Sequence, residues 1–236
     1  MVQPFFSVII PTTLESKYLR NALDSIERQT LKDYEIIVCD YGSTDGTIQI
    51  AKEYGSRVIS IRKAGASAAK NVASKIAAGR YLVFLDADTT MWQDCLALFK
   101  KEIEGGAIAG FPVVYWATDS KVYDLFRKAI VNPFYYISSV FGLRLAPANC
   151  MFCERDAFLQ TDGFEENTPI FTNYNLNGEI KKFGGIKLVG KAKAFTSDRR
   201  VKDFGLPSYV FTLVYAFLMK VIKNRSMPLD FYKPVR

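Results

Sequence analysis

Asp86-Ala87-Asp88 closes the apolar run Tyr81-Leu82-Val83-Phe84-Leu85 and is followed by Thr89-Thr90. Two carboxylates one residue apart at a strand end can both approach a hard divalent cation together with a diphosphate. Mg²⁺ or Mn²⁺ held by Asp86 and Asp88 would offset the charge that develops on a departing nucleotide, a Lewis-acid role. An Asp-x-Asp pair by itself is as readily a solvated loop or a helix cap; it is the preceding strand that favours the metal. Asp40 ends a second apolar run, residues 34–39, where a carboxylate can accept hydrogen bonds from a base N–H or a ribose hydroxyl. Asp45, in Gly42-Ser43-Thr44-Asp45-Gly46, reads as the cap of the helix that follows. Lys70, beside Asn71, supplies a point charge suited to phosphate.

The residue inventory narrows the chemistry further. The chain contains no histidine, which removes the commonest general base and any Ser-His-Asp triad. Cys150-Met-Phe-Cys153 has metal or redox spacing, but no second such pair accompanies it. Cys39, Cys95, Cys150 and Cys153 are therefore expected to be buried, chiefly on strands. A nucleotidyltransferase would want a Gly-rich, basic loop straight after the first strand, and Pro11-Thr12-Thr13-Leu14-Glu15 is not one.

These residues need a frame. Apolar runs at 5–10, 34–39, 58–61 and 81–85 predict buried strands, the first stopped by Pro11. Between them, Leu19, Ala22, Leu23 and Ile26 share a helical face, and another helix follows Gly65-Ala66-Ser67. Trp92, Leu96, Phe99 and Ile103 mark a further helix. Such alternation predicts an α/β, Rossmann-like fold, a mainly parallel central sheet flanked by helices. Ligands then bind beyond the carboxyl ends of the strands, where residues 11–15, 40–45 and 86–88 collect. The second half is less regular. Strands are expected at 107–116, 148–153, 186–189 and 192–196, and a helix begins within 119–127. Leu176, Ile180 and Phe183 share a further helical face, ended by Gly184-Gly185.

The net charge of +7 is unevenly spread: residues 1–180 carry 18 Lys/Arg against 21 Asp/Glu, and residues 181–236 carry 13 against 3. A basic, apolar tail on a slightly acidic body predicts an anionic lipid surface as partner and argues against nucleic acid. In the last helix, about 208–223, Ser208, Thr212, Ala216 and Lys220 form a small or polar stripe. The remaining faces, with Phe211, Val214 and Leu218 among them, are apolar over far more than one core-facing stripe. Residues 208–225, joined by the uncharged segment 129–143, are expected to lie in a membrane interface. Arg199, Arg200, Lys202, Lys220, Lys223 and Arg225 would then face the headgroups. A dimer contact is the competing use of the same helix. No run reaches the roughly 20 apolar residues of a membrane-spanning helix, and the first residues lack a basic signal region. The expected location is cytoplasmic, peripheral at the inner face of the membrane.

In order and spacing, four motifs resemble the family 2 glycosyltransferases of GT-A fold. They are Ser7-Val8-Ile9-Ile10-Pro11-Thr12 with Glu15, Asp40-Tyr41-Gly42-Ser43-Thr44-Asp45-Gly46-Thr47, Ala69-Lys70-Asn71, and Phe84-Leu85-Asp86-Ala87-Asp88. The resemblance is dense over residues 5–105 and continues loosely to Asp162-Gly163-Phe164-Glu165-Glu166. It implies a GT-A domain over 1–205, with a nucleotide-sugar half to about 105 and an acceptor half beyond it. Residues 206–236 would follow as a membrane-associating or dimerising helix and tail. It implies a UDP- or GDP-linked sugar donor lying on Pro11, Thr12, Glu15, Asp40, Gly42 and Lys70. The diphosphate would be held at Asp86, Ala87 and Asp88 through Mn²⁺ or Mg²⁺, with inverting transfer to a glycan or lipid-linked acceptor. Lys70 stands where the family has arginine, which keeps the charge but loses the bidentate fork.

Members of that family place an acidic pair, including a catalytic aspartate, before a helix that ends in a Lys-x-Gly-like segment. Aligning on Leu176 and Lys181-Lys182-Phe183-Gly184 puts Thr172 and Asn173 at those positions. An asparagine cannot accept the acceptor hydroxyl's proton as a carboxylate does. Three readings stay open. Another acid serves, with Glu165, Glu166 and Glu179 the candidates; the acceptor is itself an anion such as a phosphate; or the chain binds nucleotide sugar without turning it over.

Overall fold

All seven residues of the first strand, Phe6-Ser7-Val8-Ile9-Ile10-Pro11-Thr12, are buried, as in a strand covered on both faces. The computed structural model describes residues 3–62, 65–141, 144–221 and Met227. Its strands are β1 (Phe6–Thr12), β2 (Tyr34–Asp40), β3 (Arg57–Ser60), β4 (Tyr81–Leu85), β5 (Thr89–Met91), β6 (Ala109–Ala117), β7 (Cys150–Glu154) and β8 (Ile186–Ser197). Its first four helices are α1 (Ser16–Glu27), α2 (Thr47–Glu53), α3 (Ala66–Ile76) and α4 (Cys95–Glu104). Next, α5 (Lys121–Phe126) runs through a π turn (Arg127–Val131) into α6 (Asn132–Val140). The last are α7 (Arg155–Leu159), α8 (Tyr174–Ile180), α9 (Arg199–Phe204) and α10 (Leu206–Val221).

Side-chain alternation along the central strands divides the core in two. Phe6, Val8 and Ile10 of β1 join Val83 and Leu85 of β4 against α1 and α4, through Leu23, Ile26, Leu96 and Phe99. Ile9, Leu82 and Phe84 face the other way, onto Ala69 and Ala73 of α3 and onto Phe158, Leu176 and Ile180 of α7 and α8. Truncating one of these aromatic residues to alanine is expected to cost roughly 3–5 kcal/mol.

The strands form one sheet in the order β3-β2-β1-β4-β7-β6-β8-β5. The β3-β2-β1-β4 block is parallel, as the strand–helix alternation requires. β7 runs antiparallel to both β4 and β6, β6 is parallel to β8, and β5 is antiparallel to β8. The mainly parallel α/β sheet flanked by helices is the expected one.

Four local features differ from expectation. β5 has three residues, too few to show a period, so sequence alone gave no sign of it. Trp92 precedes α4 and is 53% exposed, whereas Leu96, Phe99 and Ile103 are buried on that helix. The segments 186–189 and 192–196 are a single strand, β8, whose pairing with β6 shifts between Pro112 and Val113 and so takes up residues 190–192. Phe183 lies past the end of α8, on the surface. Gly142 and Leu143, and Lys223 and Arg225 of the tail, lie outside the described residues.

All four cysteines are free and buried. Burial pushes the Cys39 thiol up to about 11 and raises those of Cys95 and Cys153 as well. They are inert core residues.

Candidate active site

The loops beyond β1 and β2 are built by short polar side chains. Thr12 Oγ1, at the end of β1, donates to Asp40 Oδ1 at 3.2 Å. The buried Asp40 carboxylate also accepts from the backbone N–H groups of Gly42 and Ser43, both at 3.0 Å, and from Ser43 Oγ at 2.5 Å. Gly42 has φ +112°, a conformation that glycine reaches without strain. A second turn follows. Asp45 accepts from Ser16 N at 3.1 Å and from Thr47 N and Oγ1 at 3.1 and 2.5 Å, and Thr47 Oγ1 accepts from Glu15 N at 2.9 Å. Burial alone would raise the Asp45 carboxyl. The hydrogen bonds from Thr47 and Ser16 outweigh it and hold the group at about 2. The two turns fix Glu15 at the N-cap of α1.

Past these turns lies a cleft of about 590 Å³, with Glu15, Asp86 and Asp88 the acidic side chains that line it among the described residues. Lys70, buried on α3, donates to Asp86 Oδ1 at 2.7 Å and to the Ala148 carbonyl at 2.8 Å, and its Nζ stands 5.1 Å from the Phe164 ring centre. Arg199, the first residue of α9, forks onto Glu15, with Nη1 3.2 Å from Oε2 and Nη2 3.0 Å from Oε1. Its Nε lies 3.1 Å from Asp88 Oδ2, an ion pair too poorly directed to be a hydrogen bond. Burial raises the Glu15 carboxyl above its ordinary value, and Arg199 recovers only part of that shift. Burial, then the neighbouring Asp86, raises Asp88 against the pull of Arg199 and Arg200. The Tyr41 phenol, on the same wall, is pushed up to about 12 by burial and then by Asp86 and Glu15. The site is a set of acids held together by two cations.

The residues present suit a hard divalent cation. Lys70 occupies one oxygen of Asp86, and Arg199 lies against one oxygen of Asp88. Among the described residues none hydrogen-bonds the second oxygen of Asp86, and that of Asp88 takes only a 3.4 Å contact from Thr89 Oγ1. Among the described residues no three His, Cys, Asp or Glu side chains cluster to hold a metal by themselves. Two carboxylates that leave the remaining positions to phosphate and water match the way Mg²⁺ and related ions are bound beside nucleotides.

The second half of the chain contributes differently. Asn173, buried at the N-cap of α8, lines the cleft and donates through Nδ2 to the Ala146 carbonyl at 3.1 Å. Glu165 does not reach the cleft; its carboxylate accepts from Lys220 Nζ of α10 at 2.6 and 2.5 Å. Glu166 also lies outside it, accepting from Asn71 Nδ2 at 3.0 Å, while Glu179 accepts from Asp162 N at 2.9 Å. Asn71 explains this placement. Its amide bonds both the N–H and the carbonyl of Phe164 at 2.9 Å. Gly163, at φ +74°, packs so closely that an added Cβ would stand 2.5 Å from Asn71 Oδ1. The loop is clamped with its glutamates turned away from the cleft.

Of the residues singled out in the sequence, Pro11, Glu15, Lys70, Asp86, Ala87, Asp88 and Asn173 come together on the cleft. Thr12, Asp40 and Gly42 shape the loop behind it. Arg199 and Arg200, read in sequence as part of a basic flank, line the cleft instead. Their only sequence signal is their place just after the β8 run. Arg127 and Tyr41 line it too, and neither stood out. The small stripe of α10 faces inward: Ser208 and Thr212 line the cleft, and Ala216 and Lys220 are buried.

Residues 7–160 match the model of Glycosyl transferase family 2. The chain belongs to glycosyl transferase family 2. Glycosyltransferase GlyA of Streptococcus pneumoniae is 30% identical over 238 residues, covering 96% of this chain and 30% of that protein. A chondroitin synthase of Escherichia coli is 29% identical over 201 residues, covering 80% of this chain and 28% of that protein. This family 2 chain thus spans less than a third of the length of either relative. Among solved structures, the mannosyltransferase PcManGT of Pyrobaculum calidifontis, in complex with GDP-Man and Mn²⁺, gives a TM-score of 0.69 at 18% identity over all of this chain and 68% of that one. TarS 1–349 of S. aureus, in complex with UDP-GlcNAc, gives 0.67 at 19% identity over 82% and 58%. These likenesses show the fold, the GT-A type of family 2.

Proposed function

We propose that this family 2 chain transfers a sugar from a UDP- or GDP-linked donor to an acceptor hydroxyl, with inversion at the anomeric carbon. The observation that carries this reading is the convergence of Asp86 and Asp88 with Lys70 and Arg199 on one cleft. Asp86 and Asp88 would hold Mn²⁺ or Mg²⁺, which supplies charge neutralisation for the leaving diphosphate. Lys70 and Arg199 steady the acids in the ligand-free chain and are placed to exchange carboxylate for phosphate oxygens when the donor binds. Pro11 and Tyr41 would wall the nucleotide, with the Asp40 turn behind them. In transfer, the acceptor oxygen bonds to the anomeric carbon as the bond to the diphosphate oxygen breaks, its electron pair leaving with the diphosphate. The acceptor hydroxyl's proton passes to solvent, since Asn173 cannot accept it as a carboxylate would. GDP-Man with Mn²⁺ and UDP-GlcNAc in the two structural neighbours support this choice of donor.

Calorimetric titration with UDP and GDP, with and without Mn²⁺, tests it. Asp88→Ala is expected to weaken metal-dependent binding about tenfold or more, roughly 1.4 kcal/mol. Binding that needs no metal and ignores the substitution would sink the reading.

One observation favours a second reading, a nucleotide-sugar-binding protein without turnover. Asn173 stands where the base is expected, and the acids on the cleft belong to the donor side. A donor panel assayed for transfer and hydrolysis separates the two, since binding without product supports the second.

We also propose that the chain works at the inner face of a membrane, on a lipid-linked or glycan acceptor. α6 and α10 meet through Phe134 and Phe217, whose rings are 5.7 Å apart and edge-on. Together they expose Ile137, Phe141, Phe211, Val214 and Leu218. No described helix is long and apolar enough to cross a membrane, so the contact would be interfacial. Co-sedimentation with anionic vesicles should fall when Phe211 and Leu218 are both changed to serine. If self-association in ultracentrifugation falls instead, the face is a dimer contact.

A further inference from the structure

Arg127 lies in the π turn between α5 and α6 and is 4% exposed. Single π turns inside helices recur at functional sites, because the extra residue re-aims the side chains around it. Arg127 Nε donates to the Val114 carbonyl at 3.0 Å, and the guanidinium carbon stands 5.4 Å from the Trp116 ring centre. The two terminal amino groups make no hydrogen bond and no ion pair to any described residue. Neither is sealed from solvent, and Arg127 lines the cleft, so these donors open onto it. Burial lowers the basicity of the group, and the neighbours that oppose this are the phenols of Tyr209 and Tyr135, not carboxylates.

The contrast with the donor side is chemical. Lys70 has Asp86, and Arg199 has Glu15 and Asp88. Among the described residues, Arg127 has aromatic walls and no acid. A buried guanidinium without an anion is costly to maintain. Its planar fork matches an oxyanion at two points, and the aromatic side chains packed around it lower the local polarity and strengthen that pairing. The donor diphosphate already has two cations, and Arg127 comes from the 106–205 half of the chain.

We infer that Arg127 is an oxyanion subsite for the acceptor, gripping a phosphate or carboxylate group that the acceptor carries, with Trp116, Tyr135 and Tyr209 around it. The inference rests on the glycosyl-transfer reading and adds the acceptor's class to it. Sequence hid the site because Arg127 is followed, after Lys128, by a long uncharged stretch that reads as membrane-facing.

The test uses the full chain saturated with UDP and Mg²⁺, so that the diphosphate cations are engaged. Inorganic phosphate and glucuronate are then titrated in separate calorimetric arms. At least one should bind wild type, and Arg127→Gln should weaken it about tenfold or more, with Arg127→Lys between the two. UDP affinity should stay within about twofold in both variants. A phosphate-only result assigns a phosphorylated acceptor and a glucuronate-only result a uronate-bearing one. Absence of both from the UDP-loaded wild type, or equal binding to Arg127→Gln, overturns the subsite and leaves the donor reading intact. If wild type binds GDP and not UDP, the same arms are run on the GDP-loaded chain; binding of neither nucleotide overturns the donor reading and the subsite with it. If Arg127→Gln does not fold, Arg127→Lys carries the comparison: undiminished binding there overturns the two-point grip.

Discussion

Arg199 grips both carboxylate oxygens of Glu15, at 3.0 and 3.2 Å, across 184 residues of chain. The same guanidinium touches Asp88, and the side chains of all three residues are only 13–15% exposed. One cation therefore fastens the start of α9 to the start of α1 and to the Asp-x-Asp turn. Its loss would leave two acids buried without their partner.

Arg199→Gln is expected to destabilise the chain by about 2–4 kcal/mol, a little under the roughly 3–5 kcal/mol of a fully buried pair because these side chains keep some exposure. Urea unfolding measures it. Added Mg²⁺ should recover part of the loss in the variant, because the ion can take over the neutralisation of Asp88. A midpoint equal to that of wild type would show that Arg199 contributes no such fastening.

The Lys220–Glu165 pair does for α10 what Arg199 does for α9. Its two side chains are 6% and 20% exposed. Lys220→Met keeps the apolar stem but removes the charge, and should speed amide exchange over residues 206–221 with UDP affinity unchanged. Unchanged exchange would mean that packing alone seats the helix.

Asp45 gives a pH signature. Its folded pKa, about 2, lies below the ordinary aspartate value, so its hydrogen bonds stabilise the native chain above the unfolded pKa. That contribution fades as pH falls from about 4, where a free aspartate titrates, through about 2. Wild type should melt above Asp45→Asn at neutral pH, and the gap should narrow only in that acid window. Asp45 is exposed, so the gap will be small.

Much of this was legible because strand ends carry their own punctuation. Apolar runs stopped by Pro11, Asp40 and Asp86 disclosed the parallel block and the acidic wall of the cleft, since a buried strand and its polar end are both local features. What the second half of the chain brings to the cleft was not local. Arg127 and Arg199 reach the cleft only through the π turn and the β8–α9 junction. Nothing in their neighbours' spacing marks that path. Glu165 and Glu166 looked available as acids because the Asn71 and Lys220 that engage them are distant in sequence. The α10 stripe was visible, but its direction was not: a small-residue face suits either a close contact or a solvated groove.

Asn173→Asp tests whether a base would act from position 173. Nδ2 of Asn173 donates to the Ala146 carbonyl, and a carboxylate there would set two acceptors face to face. The substitution should cost about 1–3 kcal/mol of stability. If proton removal limits transfer, turnover should rise, up to about 10²-fold. Unchanged turnover with the expected loss of stability would show that the proton leaves by another route.

β5 begins directly after Asp88 and, among the described strands, joins the sheet only through β8. Thr89 bonds Thr196, 107 residues later, and Arg199 follows just beyond. During synthesis the acid pair thus leaves the ribosome long before the strand and the counter-charge that complete it. A nascent chain ending before β8 could form the parallel β3-β2-β1-β4 block yet would leave Glu15, Asp86 and Asp88 as an open anionic cluster sharing a single lysine. Charge pairing of these acids is therefore a late event in biogenesis, timed by the arrival of one short stretch near residue 199.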